Sequence, residues 1–400
     1  MNLSNFPIPS RYHDLLKAYE SYYHQFYLEM VRTSNSNFVA YVKKYFDLLL
    51  QLSRHPLTED SIRAAIGVVC LHQFGYQNFN DLTSIFDRLI PQLDGEYIQF
   101  TSWCVGRLIH HPNIEESQYA RSLFMRALSW TRSKGRRARP LAAAYMLRQL
   151  SQNCGSVIVS FFPQLQTSIW SLVSYHSIKI LQATASAIAA YTRALYRYGR
   201  DDLNDYMDFF TRLCLKLLFF DDSIRQYGSL CLLEELINEY PDYYVSSFLQ
   251  IVKNIVESTE DRPLIVQGQA FSVLASLSAI NPQGFIESIA EDVFGRIDEL
   301  ILEFPVEMTN SLCRLCETIP EFINDDENNR IDDMIKYSYI LMDDEPDCTF
   351  QLLAKIIETF HGNSIPIEKE QMIKLINLPL SINYKDFFIT VSKYQETVHL

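Results

Sequence analysis

Asp222-Ser223-Ile224-Arg225-Gln226-Tyr227-Gly228-Ser229-Leu230-Cys231-Leu232 is the stretch whose reading decides the fold. Ile224, Tyr227, Gly228, Cys231 and Leu232 fall at i, i+3, i+4, i+7 and i+8, which is one face of an α-helix. The same four residues, Asp60-Ser61-Ile62-Arg63, open a second stretch in which Ile62, Ala65, Ile66, Val69 and Cys70 repeat these offsets. An Asp at such a start accepts hydrogen bonds from the free backbone N–H groups of the first turn and suits the helix dipole. The same signature at the same place in the same pattern points to a repeat.

Working outward, further helices rich in small residues begin near Ile98, Pro140, Ile178, Ile265, Val306 and Pro346. With Ile62 and Ile224 included, the steps between neighbouring starts are 36, 42, 38, 46, 41, 41 and 40 residues. HEAT and armadillo units repeat every ~40–47 residues, whereas tetratricopeptide units repeat every ~34 with fixed Trp, Gly, Tyr and Pro positions that are missing here. A bulkier helix precedes each small-residue one, at 38–52, 82–93, 119–131, 157–173, 203–219 and 243–257. Each such pair reads as one antiparallel hairpin. Ala142-Ala143-Ala144 and Ala183, Ala185, Ala187, Ala189 and Ala190 allow neighbouring helices to approach closely, and aromatics on the bulky helix cover the seam. The expected fold is therefore all-α, a HEAT/armadillo-like solenoid stabilised by hairpin-to-hairpin interfaces. Three regions are expected: an extension and first helix over 1–37, HEAT repeats over 38–260, and more acidic HEAT-like repeats over 261–400.

Composition agrees with this. Apolar residues make up 48% of the 400 and charged residues 21%, enough for a buried core. A single compact core stops growing near ~250–300 residues, so the chain should be elongated or divided. Only 12 Gly and 15 Pro punctuate it, fewer than many tight strand turns require. The first eleven residues lack the basic-then-apolar layout of a secretion signal. No apolar run reaches the ~18 residues of a membrane span, and Leu264 to Ile280, broken by Gln267, Gln269 and serines, reads as a buried helix. Eight scattered cysteines suit free thiols in a reducing, cytoplasmic setting. Cys313-x-x-Cys316 is their one close pair. It has neither the second pair nor the histidines that zinc needs, so it reads as core.

Charge is distributed unevenly. Residues 1–200 hold 21 Lys and Arg against 12 Asp and Glu, a net +9; residues 201–400 hold 14 against 36, a net −22. From Ser117 to Arg200 there is no acidic residue and there are 12 basic ones. The densest run, Arg132, Lys134, Arg136, Arg137 and Arg139, lies at a turn between two helices. One reading is a docking patch for an acidic protein, with nucleic acid or anionic lipid less favoured. The other is a solvated turn offset by the acidic second half. The acidic stretches Asn324–Asn329 and Met342–Asp347 read as loops between helices, since the Gly and terminal Glu of a calcium loop are missing.

The chain contains no phosphate-binding glycine loop, dinucleotide fingerprint, nucleophile elbow or kinase signature. His110 and His111 are adjacent, so both rings cannot share a helix face, and His72 and His176 are expected within helices as ordinary histidines. No catalytic, cofactor-binding or metal-ligating residue is assigned, and no small-molecule substrate is expected.

Residues 38–257 resemble the start of the N-terminal HEAT region of the target of rapamycin (TOR) kinases. The likeness runs in chain order through Ser61-Ile62-Arg63-Ala64-Ala65-Ile66-Gly67, Phe86-Asp87-Arg88-Leu89-Ile90-Pro91-Gln92-Leu93, Val105-Gly106-Arg107-Leu108 and Arg126-Ala127-Leu128-Ser129-Trp130. It continues through Gly135-Arg136-Arg137, Ala142-Ala143-Ala144-Tyr145-Met146-Leu147-Arg148-Gln149-Leu150 and Phe161-Phe162-Pro163-Gln164-Leu165. Beyond about residue 260 only general HEAT character remains. The resemblance implies a protein-interaction scaffold that binds raptor-type adaptor subunits of a TOR complex and self-associates. These 400 residues lack the family's kinase, FAT region and rapamycin-binding segment, so the resemblance implies either a piece of a longer kinase or a free-standing relative. None of the matching positions is catalytic in that family.

Overall fold

The computed structural model describes residues 116–133, 138–173, 175–259, 261–324, 330–361 and 382–394. It also describes the short pieces 365–366, 374–375 and 398–399, and Ile98, Gln99, Ser102 and Gly106. The repeat units expected before residue 98, and the shared Asp60 signature, lie outside these residues. The chain divides into two compact units, Met1–Tyr206 and Met207–Leu400. Among the described residues the regular structure is helical apart from a two-residue parallel pairing of β1 (Ile365–Pro366) with β2 (Val398–His399).

In the first unit, α1 (Glu116–Thr131) packs on α2 (Ala138–Asn153), and α2 lies along α5 (Ile178–Tyr198). Between them come the one-turn α3 (Gly155–Ile158), a 3-10 turn over Val159–Phe161, and α4 (Phe162–Val173). The small residues are placed as expected: Ala142, Ala143 and Ala144 are fully buried, and the five α5 alanines are no more than 5% exposed. With methyl side chains at the seam, the two backbones approach closely. The 3-10 interruption leaves carbonyls without helical partners. Tyr191 on α5 supplies one, its hydroxyl lying 3.1 Å from both Ile158 O and Val159 O. Tyr191 stacks at 5.6 Å on Tyr206, which donates to Ile188 O at 3.1 Å. Tyr206 belongs to α6 (Arg200–Leu218), within which the two units meet in sequence.

In the second unit, α7 (Ser223–Glu239), α9 (Leu264–Ser278), α13 (Pro305–Thr318) and α16 (Pro346–Thr359) form one layer, each packed on the next. Asp222 caps α7 as its position suggests, accepting from Ile224 N at 3.1 Å and Arg225 N at 3.2 Å. The second layer begins with a 3-10 segment over Pro241–Ser247 that leads into α8 (Phe248–Thr259). It then breaks into α10 (Pro282–Ser288), α11 (Ala290–Phe294) and α12 (Ile297–Leu300), followed by α14 (Pro320–Ile323) and α15 (Arg330–Ile340). α17 (Ile382–Lys393) packs on α16. Buried Arg330 holds the broken layer together. Its guanidinium lies 3.8 Å from the centre of the Phe322 ring, donates to Phe322 O at 2.7 Å, and pairs with Glu291 at 2.5 Å.

The first-layer helices begin at 138, 178, 223, 264, 305 and 346, all within two residues of the expected starts. Leu264 to Ser278 is a helix buried on nearly all sides, as its sequence suggests. Among the described residues, no helix is long and apolar enough to cross a membrane.

One position in the first layer is fixed by space. A Cβ built on Gly268 of α9 would stand 2.8 Å from the Phe304 ring. Gly268→Val should lower unfolding free energy by about 2 kcal/mol through overpacking. Phe304→Leu in the same chain should recover part of it, whereas additive losses in urea denaturation would show that the ring is not what Gly268 accommodates.

Candidate functional site

Of the predicted basic turn, Arg132 and Arg139 are described. Arg132 is exposed just after α1, and Arg139 is half-buried in the first turn of α2. Lys134, Arg136 and Arg137 lie outside the described residues. Arg139 sits at the positive end of a helix dipole with no acidic residue in that first turn, so positive charge accumulates there.

The second unit carries a polar row along its first layer that the repeat reading passed over. The Glu234 carboxylate on α7 accepts from Gln269 Nε2 at 2.6 Å and Ser272 Oγ at 2.7 Å on α9. Arg314 on α13 approaches Glu234 to 3.8 Å and also donates to Ser276 Oγ. Gln351 of α16 donates to Asn310 Oδ1 of α13 at 2.9 Å. Lys355 pairs with Glu317 of α13 at 2.5 Å and with Glu358 at 3.2 Å. Partial burial disfavours the Lys355 ammonium, but these two carboxylates outweigh that and hold its pKa above the ordinary lysine value. The signal was present in the sequence: Gln269, Asn310 and Gln351 are 41 residues apart, as are Ser276, Glu317 and Glu358. Chemically the row ties one helix to the next by charge-assisted hydrogen bonds. Its rim residues Asn310, Glu317 and Glu358 are exposed.

Other expected features are placed as follows. His176 is not helical: it lies exposed in the turn between α4 and α5, because α4 ends at Val173 and α5 begins at Ile178. His72, His110 and His111 lie outside the described residues. Asp343 and Asp344 are exposed in a turn, as read; Asp325–Asn329 are not described. Cys154, Cys214, Cys231, Cys313, Cys316 and Cys348 are free and buried, and no group of His, Cys, Asp and Glu among the described residues could hold a metal. Burial pushes the Cys313 thiol up to about 12 and that of Cys316 well above the usual range. A small cavity among α8, α9, α11 and α12 is lined mainly by apolar side chains such as Phe271, Leu274 and Val293, with Asp292 and Arg296 as its charged lining.

No protein-family model and no curated protein matches the chain. Among solved structures, an engineered protein from the Northeast Structural Genomics Consortium aligns over 94% of this chain and 99% of its own, at 15% identity and a TM-score of 0.37.

Two measurements test this chemistry. Glu234→Ala leaves Gln269, Ser272 and Arg314 without their acceptor, and urea denaturation should show a loss of about 1–3 kcal/mol. The double mutant with Arg314→Ala should cost less than the two single losses combined; strict additivity would mean that the pair is not coupled. In the second measurement, an unfolded thiol ionises near ~8.5, whereas Cys313 keeps its proton to about 12. The native state thus holds a proton that the unfolded state has lost. Its contribution is complete at neutral pH and drains away as pH rises from ~8.5 toward 12. The midpoint of urea unfolding should fall across that window, and less steeply in Cys313→Ala.

Proposed function

We propose that this chain is a HEAT-type α-solenoid acting as a non-catalytic scaffold for other proteins. The observation that carries the reading is the combination of period and stacking. First-layer helices recur at steps of 40, 45, 41, 41 and 41 residues, and within each unit they pack on one another in chain order. Two-helix repeats of that length are the HEAT pattern, and an array of them offers long surfaces on which partners bind. In the second unit the first-layer side chains mostly pair with each other, which suits holding a surface in shape.

Kinship with the N-terminal solenoid of TOR kinases rests on the ordered motifs between Phe38 and Glu257 and on nothing in the comparisons. On that reading the partners are TOR-complex subunits such as a raptor-type adaptor, together with further copies of the chain, in the cytoplasm. A second reading, favoured by exposed Arg132 and the acid-free stretch 117–200, is an adaptor for transport or nucleic-acid-associated assembly. It would bind an acidic partner through Arg132, Lys134, Arg136, Arg137 and Arg139.

Affinity purification of the full chain from its own cells separates these. The TOR reading expects a raptor-type subunit or a kinase-bearing polypeptide in stoichiometric amount, and their absence overturns it. The adaptor reading expects an acidic partner that the double variant Arg136→Glu/Arg137→Glu binds about tenfold more weakly at low salt. An unchanged melting temperature in that variant would place the loss in binding and not in folding. Retention of that partner at full strength removes the basic run from the interface.

A further inference from the structure

In the second unit, the turns and adjoining helix ends that join the second layer to the first carry an exposed apolar residue in each successive hairpin. Phe219 and Phe220 are 59% and 40% exposed, Leu264 is 38%, Leu302 and Val306 are 63% and 50%, and Ile340 is 42%. Scattered surface hydrophobics are ordinary. Of the nine exposed large hydrophobics among the described residues of this unit, however, these six lie at the same end of the first-layer helices, with Val245, Leu249 and Ile389 elsewhere. The N-terminal ends of α7, α9, α13 and α16 lie side by side, because these helices pack on one another in chain order. Asp221, just before α7, also pairs with Arg262 of the next turn at 2.8 Å. The six residues therefore form the rungs of one continuous edge.

The charge on that edge is predominantly negative. Asp221, Asp261, Glu303, Glu307, Asp343 and Asp344 are exposed on these turns and helix ends, against the exposed lysines Lys216 and Lys336, each one turn before a rung. Arg225 and Arg262 are already paired with Asp222 and Asp221. An apolar row flanked by carboxylates is complementary to a chain that combines apolar anchors with Lys or Arg. A helical chain fits the rung spacing. Packed helices lie ~8–10 Å apart, which is ~5–7 residues of α-helix at 1.5 Å each, and at the upper end of that range anchors two turns apart stay on one face. In a β-strand the same upper distance is ~3 residues, an odd number that turns alternate anchors away.

We infer that this edge, from Phe219 to Ile340, is a docking surface for a basic amphipathic helix of a partner protein, with an apolar anchor about every seven residues. The inference rests on the scaffold reading and gives its second unit a partner chemistry opposite to that of the basic turn.

The probe is a synthetic helical peptide of three heptads repeating Leu-Lys-Lys-Ala-Leu-Lys-Lys, titrated against the full chain by fluorescence anisotropy. Leu302→Ser/Ile340→Ser, and separately Glu303→Lys/Asp343→Lys, should each weaken binding about tenfold. Glu321→Lys/Asp332→Lys, the same charge change at the opposite ends of the helices, should leave it unchanged. Peptides with Glu for Lys, or with Ser for Leu, should bind far more weakly. Equal binding of either control peptide, an equal loss in the opposite-end variant, or no saturable binding overturns the inference. A concentration-dependent dimer dissolved by the edge substitutions gives the edge to a second copy and overturns it as well. Should the variants fail to fold, photo-crosslinking from the peptide leucines to the native chain should label residues around 302–307 and 340–345, and labelling elsewhere is fatal. A chain that keeps its cellular partners but ignores the peptide loses this edge alone, whereas loss of both defeats the scaffold reading.

Discussion

The close approach of one first-layer helix to the next is the constraint on which the rest of the structure depends. An alanine seam or a glycine under an aromatic ring lets two backbones come near enough for their side chains to interdigitate. Dispersion between atom pairs falls off steeply with separation, so a seam opened by a single methyl forfeits much of the attraction on both sides. Fully buried Ala142, Ala143 and Ala144, and Gly268 beneath Phe304, are the places where this is visible. No hairpin closes its own apolar face. Within each unit the first-layer helices pack on one another in chain order, and stability is built interface by interface.

The polar row from Glu234 to Lys355 depends on the same approach. Apolar seams of similar width would tolerate slippage by a turn, whereas a carboxylate that accepts from Gln269 and Ser272 while facing Arg314 is satisfied in one register only. Small residues set how near the helices come, and the polar row sets where along their length they meet. Arg330 acts comparably in the second layer. There the chain breaks into short helices whose ends need partners, and one guanidinium serves a carbonyl, a carboxylate and a ring.

What could be read in the sequence follows from these physical roles. Helix starts were legible because small and β-branched residues at helical spacing recur wherever two helices touch, and Asp222 marked its own helix by capping it. The break-up of the stretch after Asn281 was not legible. Pro282 announces a start, but the stops near Ser288 and Phe294 come from tertiary packing around Ile289 and Val293. His176 reads as helical because apolar residues at helical spacing flank it on both sides, and the turn at 175–177 carries no Gly or Pro to announce it. The polar row could have been found by lining up residues 41 apart, but each member alone is an ordinary polar residue on a helix. The basic turn was plain in composition, and charge in a sequence names a sign without naming a geometry. Beyond the fold, function was legible only as a kind of surface, because scaffolds need no particular side chain at a reacting atom.

The buried thiols carry a consequence of another kind. Cys313 and Cys316 on α13 and Cys348 on α16 are kept inert by the fold alone, since burial holds each as a neutral thiol. An opening of these two helices releases three sulfurs together, each returning toward its ordinary acidity as water reaches it. In an oxidising medium, disulfide formation, with two electrons passing to the oxidant, then competes with reclosure. Such a bond lasts until a thiol reduces it, so the redox state of the medium sets how long a local opening of these helices persists.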